Sequence, residues 1–215
     1  MALPRPAEAA RRRPPLSALN LGLHLEPGMR VGLYGGSFDP PHAGHLHVAR
    51  TARLRLGLDR VVWLVTPGNP LKGAASADLA RRLAAVRGLA CAPAMAVSDA
   101  EARLGLRYTI DTVRALKARW PGVRFVWVMG ADGLCDLHRW LGWADLMREV
   151  PIAVVSRPGW SVQAGLSVAA RRFAFARLPA GAARRLPSAQ PPAWTVLQAP
   201  WNFASSTALR AMGPS

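Results

Sequence analysis

From Arg30 onward, short apolar runs alternate with amphipathic stretches. Val31-Gly32-Leu33-Tyr34 is an apolar run that ends in two glycines, the pattern of a buried strand. Between His45 and Leu56, apolar residues recur at helical spacing (Leu46, Ala49, Ala52, Leu56), with Arg50, Arg53 and Arg55 mostly on other faces. Arg60 to Val65 predicts a second strand, closed by the turn-forming Thr66-Pro67-Gly68-Asn69-Pro70. A helix is expected over Asp78 to Ala90, a short strand over Met95-Ala96-Val97, and a helix over Thr109 to Trp120 that Pro121-Gly122 stops. Val123 to Met129 and Ile152 to Val155 predict a fourth and a fifth strand. Thr195-Val196-Leu197 suggests a late one before a final short helix. Ser161 to Pro192 reads as a helix followed by a loop, with no function assigned. Such alternation argues for βαβ units. The expected fold is α/β, a mostly parallel sheet of five or six strands with helices on both faces.

Residues 1 to about 28 are rich in Pro, Ala and Arg and show no periodic apolar pattern before Leu16. They are expected to form a flexible N-terminal extension, with one domain from 29 to 215. A continuous apolar h-region is absent from this stretch, and no run approaches the roughly 20 residues of a membrane span. The net charge of +16 raises the question of nucleic acid. Nearly all the cations are arginines, however, with only Lys72 and Lys117 as lysines, and they are scattered rather than striped. Ala, Gly, Pro and Arg share GC-rich codons, so compositional drift explains the charge better than a nucleic-acid surface. The same charge still favours anionic substrates. Cys91 and Cys135 are the only cysteines and lie in no redox or metal spacing, which fits a reduced, cytoplasmic setting.

Candidate chemistry concentrates in Gly35-Gly36-Ser37-Phe38-Asp39-Pro40-Pro41-His42-Ala43-Gly44-His45, directly after the first predicted strand. In an open parallel sheet, ligands bind beyond the carboxyl ends of the strands. Gly35 and Gly36 let the backbone approach a polyphosphate, and Asp39-Pro40-Pro41 keeps the chain extended before the helix. His42 and His45, three apart at the helix start, share a face beside free N–H groups and the positive end of the helix dipole. This arrangement makes a site for anionic oxygen. Neither a P-loop nor a G-x-G-x-x-G fingerprint occurs, and Gly35-x-Ser37-x-Asp39 lacks the second glycine of a hydrolase elbow. His47 points elsewhere on a helix and no H-E-x-x-H is present, so no protein-bound metal is expected.

The segment resembles the signature of the H-x-G-H nucleotidyltransferases. Its fuller spelling G-G-S-F-D-P-x-H-x-G-H is similar to that of the bacterial nicotinate-nucleotide adenylyltransferases, over roughly residues 30 to 212. The resemblance implies a Rossmann-like domain that binds ATP through Gly35, Gly36, Ser37 and Phe38. Ala204-Ser205-Ser206-Thr207-Ala208-Leu209-Arg210 resembles the family's I-S-S-T-x-I-R. There a serine can cap a short helix whose N–H groups, Thr207 hydroxyl and Arg210 guanidinium donate to phosphate. By the same resemblance, Lys72 reaches the triphosphate, and Gly130 and Asp132 meet the adenosine part of ATP. Arg107-Tyr108-Thr109 resembles the family's S-Y-T, with Arg107 where Ser is frequent. Trp140 would stack on the pyridine ring, while Thr109 and the backbone near Trp140 and Leu141 receive the nicotinate carboxylate. Core packing is the plain alternative for Trp140. The chain ends at Ser215, five residues beyond Arg210, where relatives usually continue through another helix, so the last packing contacts are expected to differ.

These readings imply AMP transfer from ATP, with Mg²⁺ arriving on the nucleotide, to nicotinate mononucleotide, giving deamido-NAD and pyrophosphate. His42, His45, Lys72 and Arg210 would serve the transferring phosphates. The same chemistry on nicotinamide mononucleotide or pantetheine phosphate is the alternative. Neither nucleic acid nor membrane is expected as a partner, and a homodimer is left open.

Overall fold

The strand Arg30–Gly36 (β1) occupies the middle of the molecule, since its neighbours on both sides are strands it pairs with in parallel. The computed structural model describes residues 19–67, 79–156 and 161–199. In chain order the remaining elements are α1 (Ala43–Leu56), β2 (Arg60–Val65), α2 (Leu79–Leu89), β3 (Met95–Ser98), α3 (Ala100–Arg103) and α4 (Thr109–Arg119). They continue as β4 (Arg124–Gly130), α5 (Ala131–Asp136), α6 (Trp143–Glu149), β5 (Ile152–Val155), α7 (Ser161–Leu166), α8 (Val168–Arg172) and β6 (Trp194–Leu197). The six strands form one sheet in the order β3-β2-β1-β4-β5-β6, parallel throughout.

Alternation along the strands builds two cores. Val31 and Leu33 of β1, with Val62 and Leu64 of β2, face one core with Val113 of α4, Leu134 of α5 and Met147 of α6. Val61, Trp63 and Val65 face the other, with Val48 and Ala52 of α1 and Val86 of α2. Because β1, β2, β4 and β5 are buried on both faces, they read as near-continuous apolar runs rather than a polar–apolar alternation. The chain winds outward from β1 to β3 with helices on one face, then crosses to β4 and winds the other way with helices on the opposite face. That reversal follows from right-handed crossovers.

The Rossmann-like arrangement agrees with the sequence reading, and several boundaries move. β1 extends through Gly35 and Gly36, so both glycines are strand residues rather than the start of the loop. Residues 161–192 hold α7, α8 and a 3-10 segment, Ala180–Ser188, instead of one helix and a loop. Leu186 and Phe173 from this stretch are buried. The boundary drawn at 28 also shifts: Leu19, Leu21 and Leu25 are buried in the core, so residues 19–28 pack with the domain. Residues 1–18 lie outside the described residues, as does the late helix expected after β6.

Gly35 leaves room for a side chain of the neighbouring strand on the side of the site. A Cβ there would meet Trp127 Cη2 at 2.4 Å and Cζ2 at 2.7 Å, and Trp127 is itself fully buried on β4. Gly88 in α2 has nothing within 4 Å of the equivalent position. Gly35→Ala is therefore expected to lower unfolding free energy by about 1 to 3 kcal/mol, through overpacking. Gly88→Ala should raise it by about 0.5 to 1 kcal/mol, through helix propensity. Urea denaturation of the two variants checks the opposite signs.

Candidate active site

The winding reverses between β1 and β4, and the crevice there opens at their carboxyl ends, Gly36 and Gly130. In folds of this kind that crevice receives the ligand. After β1 the chain turns through Phe38, whose φ of 48° is the left-handed region seldom used by a side chain of this size. What holds it there is packing. The Phe38 ring is 2% exposed and sits edge-on to Tyr34 at 5.2 Å and to His45 at 5.1 Å, with Trp63 at 5.1 Å. The ring therefore faces the core rather than a ligand, and only the Phe38 backbone is left for the nucleotide role that the sequence suggested.

His42 is the N-cap of α1. Its Nδ1 accepts from the Gly44 N–H at 3.0 Å, and the Nδ1 of His45 accepts from the His42 N–H at 3.2 Å. This is a capping box built from two imidazoles in place of the usual Ser/Thr and Glu/Gln. A ring nitrogen that accepts a hydrogen bond carries no proton, so these bonds assign both rings as the neutral tautomer with hydrogen on Nε2. The rings lie 3.8 Å apart at 34°. The helix start thus holds two oriented imidazoles beside its own dipole.

Arg82 ties this loop to its neighbour. From α2 the guanidinium donates to the backbone carbonyls of Ser37 (2.8 Å), Thr66 (2.8 Å) and Pro67 (3.1 Å), and the residue is almost fully buried. Ser37 follows β1 and Thr66-Pro67 follows β2, so one planar fork sets the distance between the two loops.

Both loops line a cavity of about 570 Å³. Its wall brings Gly35, Gly36 and Ser37 together with Thr109, Trp140 and Leu141, six of the residues singled out from the sequence. Trp127 joins them and stands edge-on to Trp140 at 6.4 Å. Thr109 opens α4 and Tyr108 is its N-cap. On α4, Lys117 donates to the Glu149 carboxylate and carbonyl on α6, both at 2.7 Å, and this bond holds the Glu149 carboxyl below its usual value. His42, His45, Gly130 and Asp132 are not in that wall. They stand at the carboxyl edge of β1 and β4, with Gly130 as N-cap of α5 and Asp132 in its first turn. Lys72, Ser205, Ser206, Thr207 and Arg210 lie outside the described residues. Among the described residues, no group of three or more His, Cys, Asp or Glu converges as a metal cluster would.

Glu101 also lines the cavity and is 5% exposed. Its Oε1 accepts from the Thr112 hydroxyl at 3.0 Å. Burial pushes the carboxyl up to about 7, against the pull of that hydrogen bond. Neither Glu101 nor Arg82 was singled out from the sequence. Arg82 is one of many arginines, and Glu101 follows Asp99 just past the end of β3, where nothing in the sequence sets one carboxylate apart from the other.

The cytidylyltransferase-like family model matches residues 33–212. A protein of Caulobacter sp. (strain K31) named "Probable nicotinate-nucleotide adenylyltransferase" is 61% identical over 183 residues, 85% of this chain and 97% of its own. One of the same name from Cereibacter sphaeroides (strain ATCC 17023) is 53% identical over 185 residues, 86% and 98% of the two chains. The chain belongs to the nicotinate-nucleotide adenylyltransferase family. In fold it is similar to the Plasmodium falciparum nicotinic acid mononucleotide adenylyltransferase complexed with NaAD. The TM-score is 0.65 at 16% identity, with 85% of this chain and 83% of that one covered.

Replacing Arg82 by Met keeps the volume and removes the donors, leaving three carbonyls without their guanidinium. The expected cost is about 3 kcal/mol in urea denaturation, with a raised KM for ATP. Lys at the same position should recover only part of both, because a single ammonium cannot span the two loops.

Proposed function

We propose that the chain transfers the adenylyl group of ATP to nicotinate mononucleotide, releasing pyrophosphate and forming deamido-NAD. The observation that carries this reading is the capping box of His42 and His45, which fixes two imidazoles at a helix start beside the sheet's switch point. Its kinship with the nicotinate-nucleotide adenylyltransferases supports the acceptor.

The acceptor's phosphate is ionised at neutral pH, so it attacks the α-phosphorus without a general base. A P–O bond forms there as the bond to the α,β-bridging oxygen breaks, and pyrophosphate departs with the electron pair. Alignment and stabilisation of developing charge are what the protein supplies. The two Nε2–H groups donate to the α- and β-phosphate oxygens. Lys72 and Arg210 hold the departing pyrophosphate, with Ser205, Ser206 and Thr207 on the phosphates. Gly35, Gly36, Ser37 and the Phe38 backbone line the triphosphate, and Gly130 and Asp132 meet the adenosine. Mg²⁺ enters with ATP as part of the substrate, as its preference for phosphate oxygens and water favours. At the acceptor end, Trp140 stacks on the pyridine, and Thr109 with the backbone at Trp140 and Leu141 receives the carboxylate. The reaction is assigned to the cytoplasm. Free thiols at Cys91 and Cys135 fit a reducing compartment, and no helix among the described residues is long and apolar enough to cross a membrane.

Pyrophosphate release from ATP, measured with nicotinate mononucleotide, nicotinamide mononucleotide and pantetheine phosphate in turn, tests the assignment. kcat/KM should be highest for nicotinate mononucleotide, and a preference for either rival acceptor would refute it. His45→Ala should lower kcat by about two orders of magnitude or more. The double duty of His42 gives a sharper check. His42→Ala should lose both the cap, about 1 kcal/mol, and turnover. His42→Asn should keep the cap and near-native stability, with turnover still lost because no donor stands where Nε2 stood.

A further inference from the structure

We propose that Glu101 decides how strongly the cavity prefers an acid over an amide on the acceptor ring, favouring the acid while its carboxyl is protonated and losing that preference on ionisation. This rests on the reading of the cavity as the acceptor site.

The geometry sets up a conflict of charge. Glu101 lines the same cavity as Thr109, Trp140 and Leu141, and is almost fully buried. A sphere of about 570 Å³ is only ~10 Å across, so an anionic substituent entering the cavity comes near this carboxyl. Two carboxylates roughly 8 to 12 Å apart in such surroundings disfavour one another by about 10- to 30-fold in affinity. An uncharged amide meets no such penalty, and its N–H groups can donate to a carboxylate.

Both proton states of Glu101 can be accommodated without rebuilding the wall. The Thr112 hydroxyl has one proton and two acceptors in reach, Glu101 Oε1 at 3.0 Å and the Tyr108 carbonyl at 3.4 Å. Facing an ionised Glu101, it donates to the carboxylate. When Glu101 is protonated, the carboxyl O–H donates to Thr112 Oγ1, which turns its own proton to Tyr108. Tyr108 is the N-cap of α4 and Thr109 its first residue, so the exchange takes place next in the chain to Thr109, which is assigned to the acceptor's carboxylate.

Other charged groups near Glu101 are accounted for. On α3, Arg103 pairs with Asp99 at 2.7 Å and also donates to the Asn20 carbonyl. From the loop before α4, Arg107 and Tyr108 line the cavity, and Asp111 lies in the first turn of α4. Across the cavity Arg139 is paired with Asp136 at 3.6 Å. The residues contributed by the ends of β1 and β2, Gly35, Gly36, Ser37, Thr66 and Pro67, are uncharged. None of the arginines is among the causes that shift Glu101, which are burial and the Thr112 bond, and these bring its titration to the neutral range.

The test measures kcat/KM by pyrophosphate release at saturating ATP, for nicotinate and nicotinamide mononucleotides, from pH 6 to 9. The ratio of the two acceptors in one enzyme cancels their shared phosphate, the histidines and overall stability. In the native chain the acid-to-amide ratio should fall about tenfold or more as pH rises through 7. In Glu101→Gln it should stay flat near the low-pH native value. Thr112→Val, which removes the bond that favours the ionised form, should move the fall to higher pH. A native ratio that does not change with pH, or a Glu101→Gln ratio that tracks it, would overturn the role of Glu101 while leaving the acceptor assignment intact. Absence of turnover with either pyridine nucleotide at every pH would instead overturn the acceptor assignment.

Discussion

The contact between Gly35 and the Trp127 indole is the constraint on which the site depends. Leu33 and Trp127 are register partners on adjacent strands, and the indole reaches diagonally to the space a side chain at residue 35 would take. The missing Cβ leaves room for a bulky ring at the end of β1. That ring then forms part of the cavity wall and gives Trp140 an edge to rest against. One glycine thereby links the end of β1 to the aromatic wall of the cavity.

Around that contact, the two halves of the site are held by different means. On the nucleotide side, hydrogen bonds dominate: the imidazole capping box sets the start of α1, and Arg82 holds the loops beyond β1 and β2. On the acceptor side, the wall is a layer of helices. α4 is pinned to α6 through Lys117 and Glu149, and the Glu101–Thr112 bond joins α3 to α4. The first set fixes the loops at the strand ends; the second fixes the helices around the cavity that Trp140 lines.

Much of this was legible in the sequence, for identifiable reasons. Strands buried on both faces read as unbroken apolar runs, so all six were found, with ends shifted by a residue or two. His42 and His45 were found because their spacing and the glycines before them form a compact pattern. Their role as caps was not, since histidine is an uncommon capping residue and the bonds depend on ring orientation. The short helices α3 and α5 to α8 lack the length over which helical periodicity shows, and tertiary packing decides them. Residues 19–28 looked like an extension because their three buried leucines are spaced through a polar and proline-containing stretch. Arg82 is indistinguishable in sequence from its solvated neighbour Arg81. Only the fold shows that it bonds the carbonyls of Ser37, Thr66 and Pro67, from two separate loops.

The bracket formed by Arg82 has a mechanical consequence. Because Ser37, Thr66 and Pro67 share one rigid, planar donor, the loops after β1 and β2 cannot shift independently without breaking a charged hydrogen bond. A ligand that presses on one loop transmits its force to the other. The end of β2 is thereby tied to the end of β1 at Thr66 and Pro67, as a strut ties two beams.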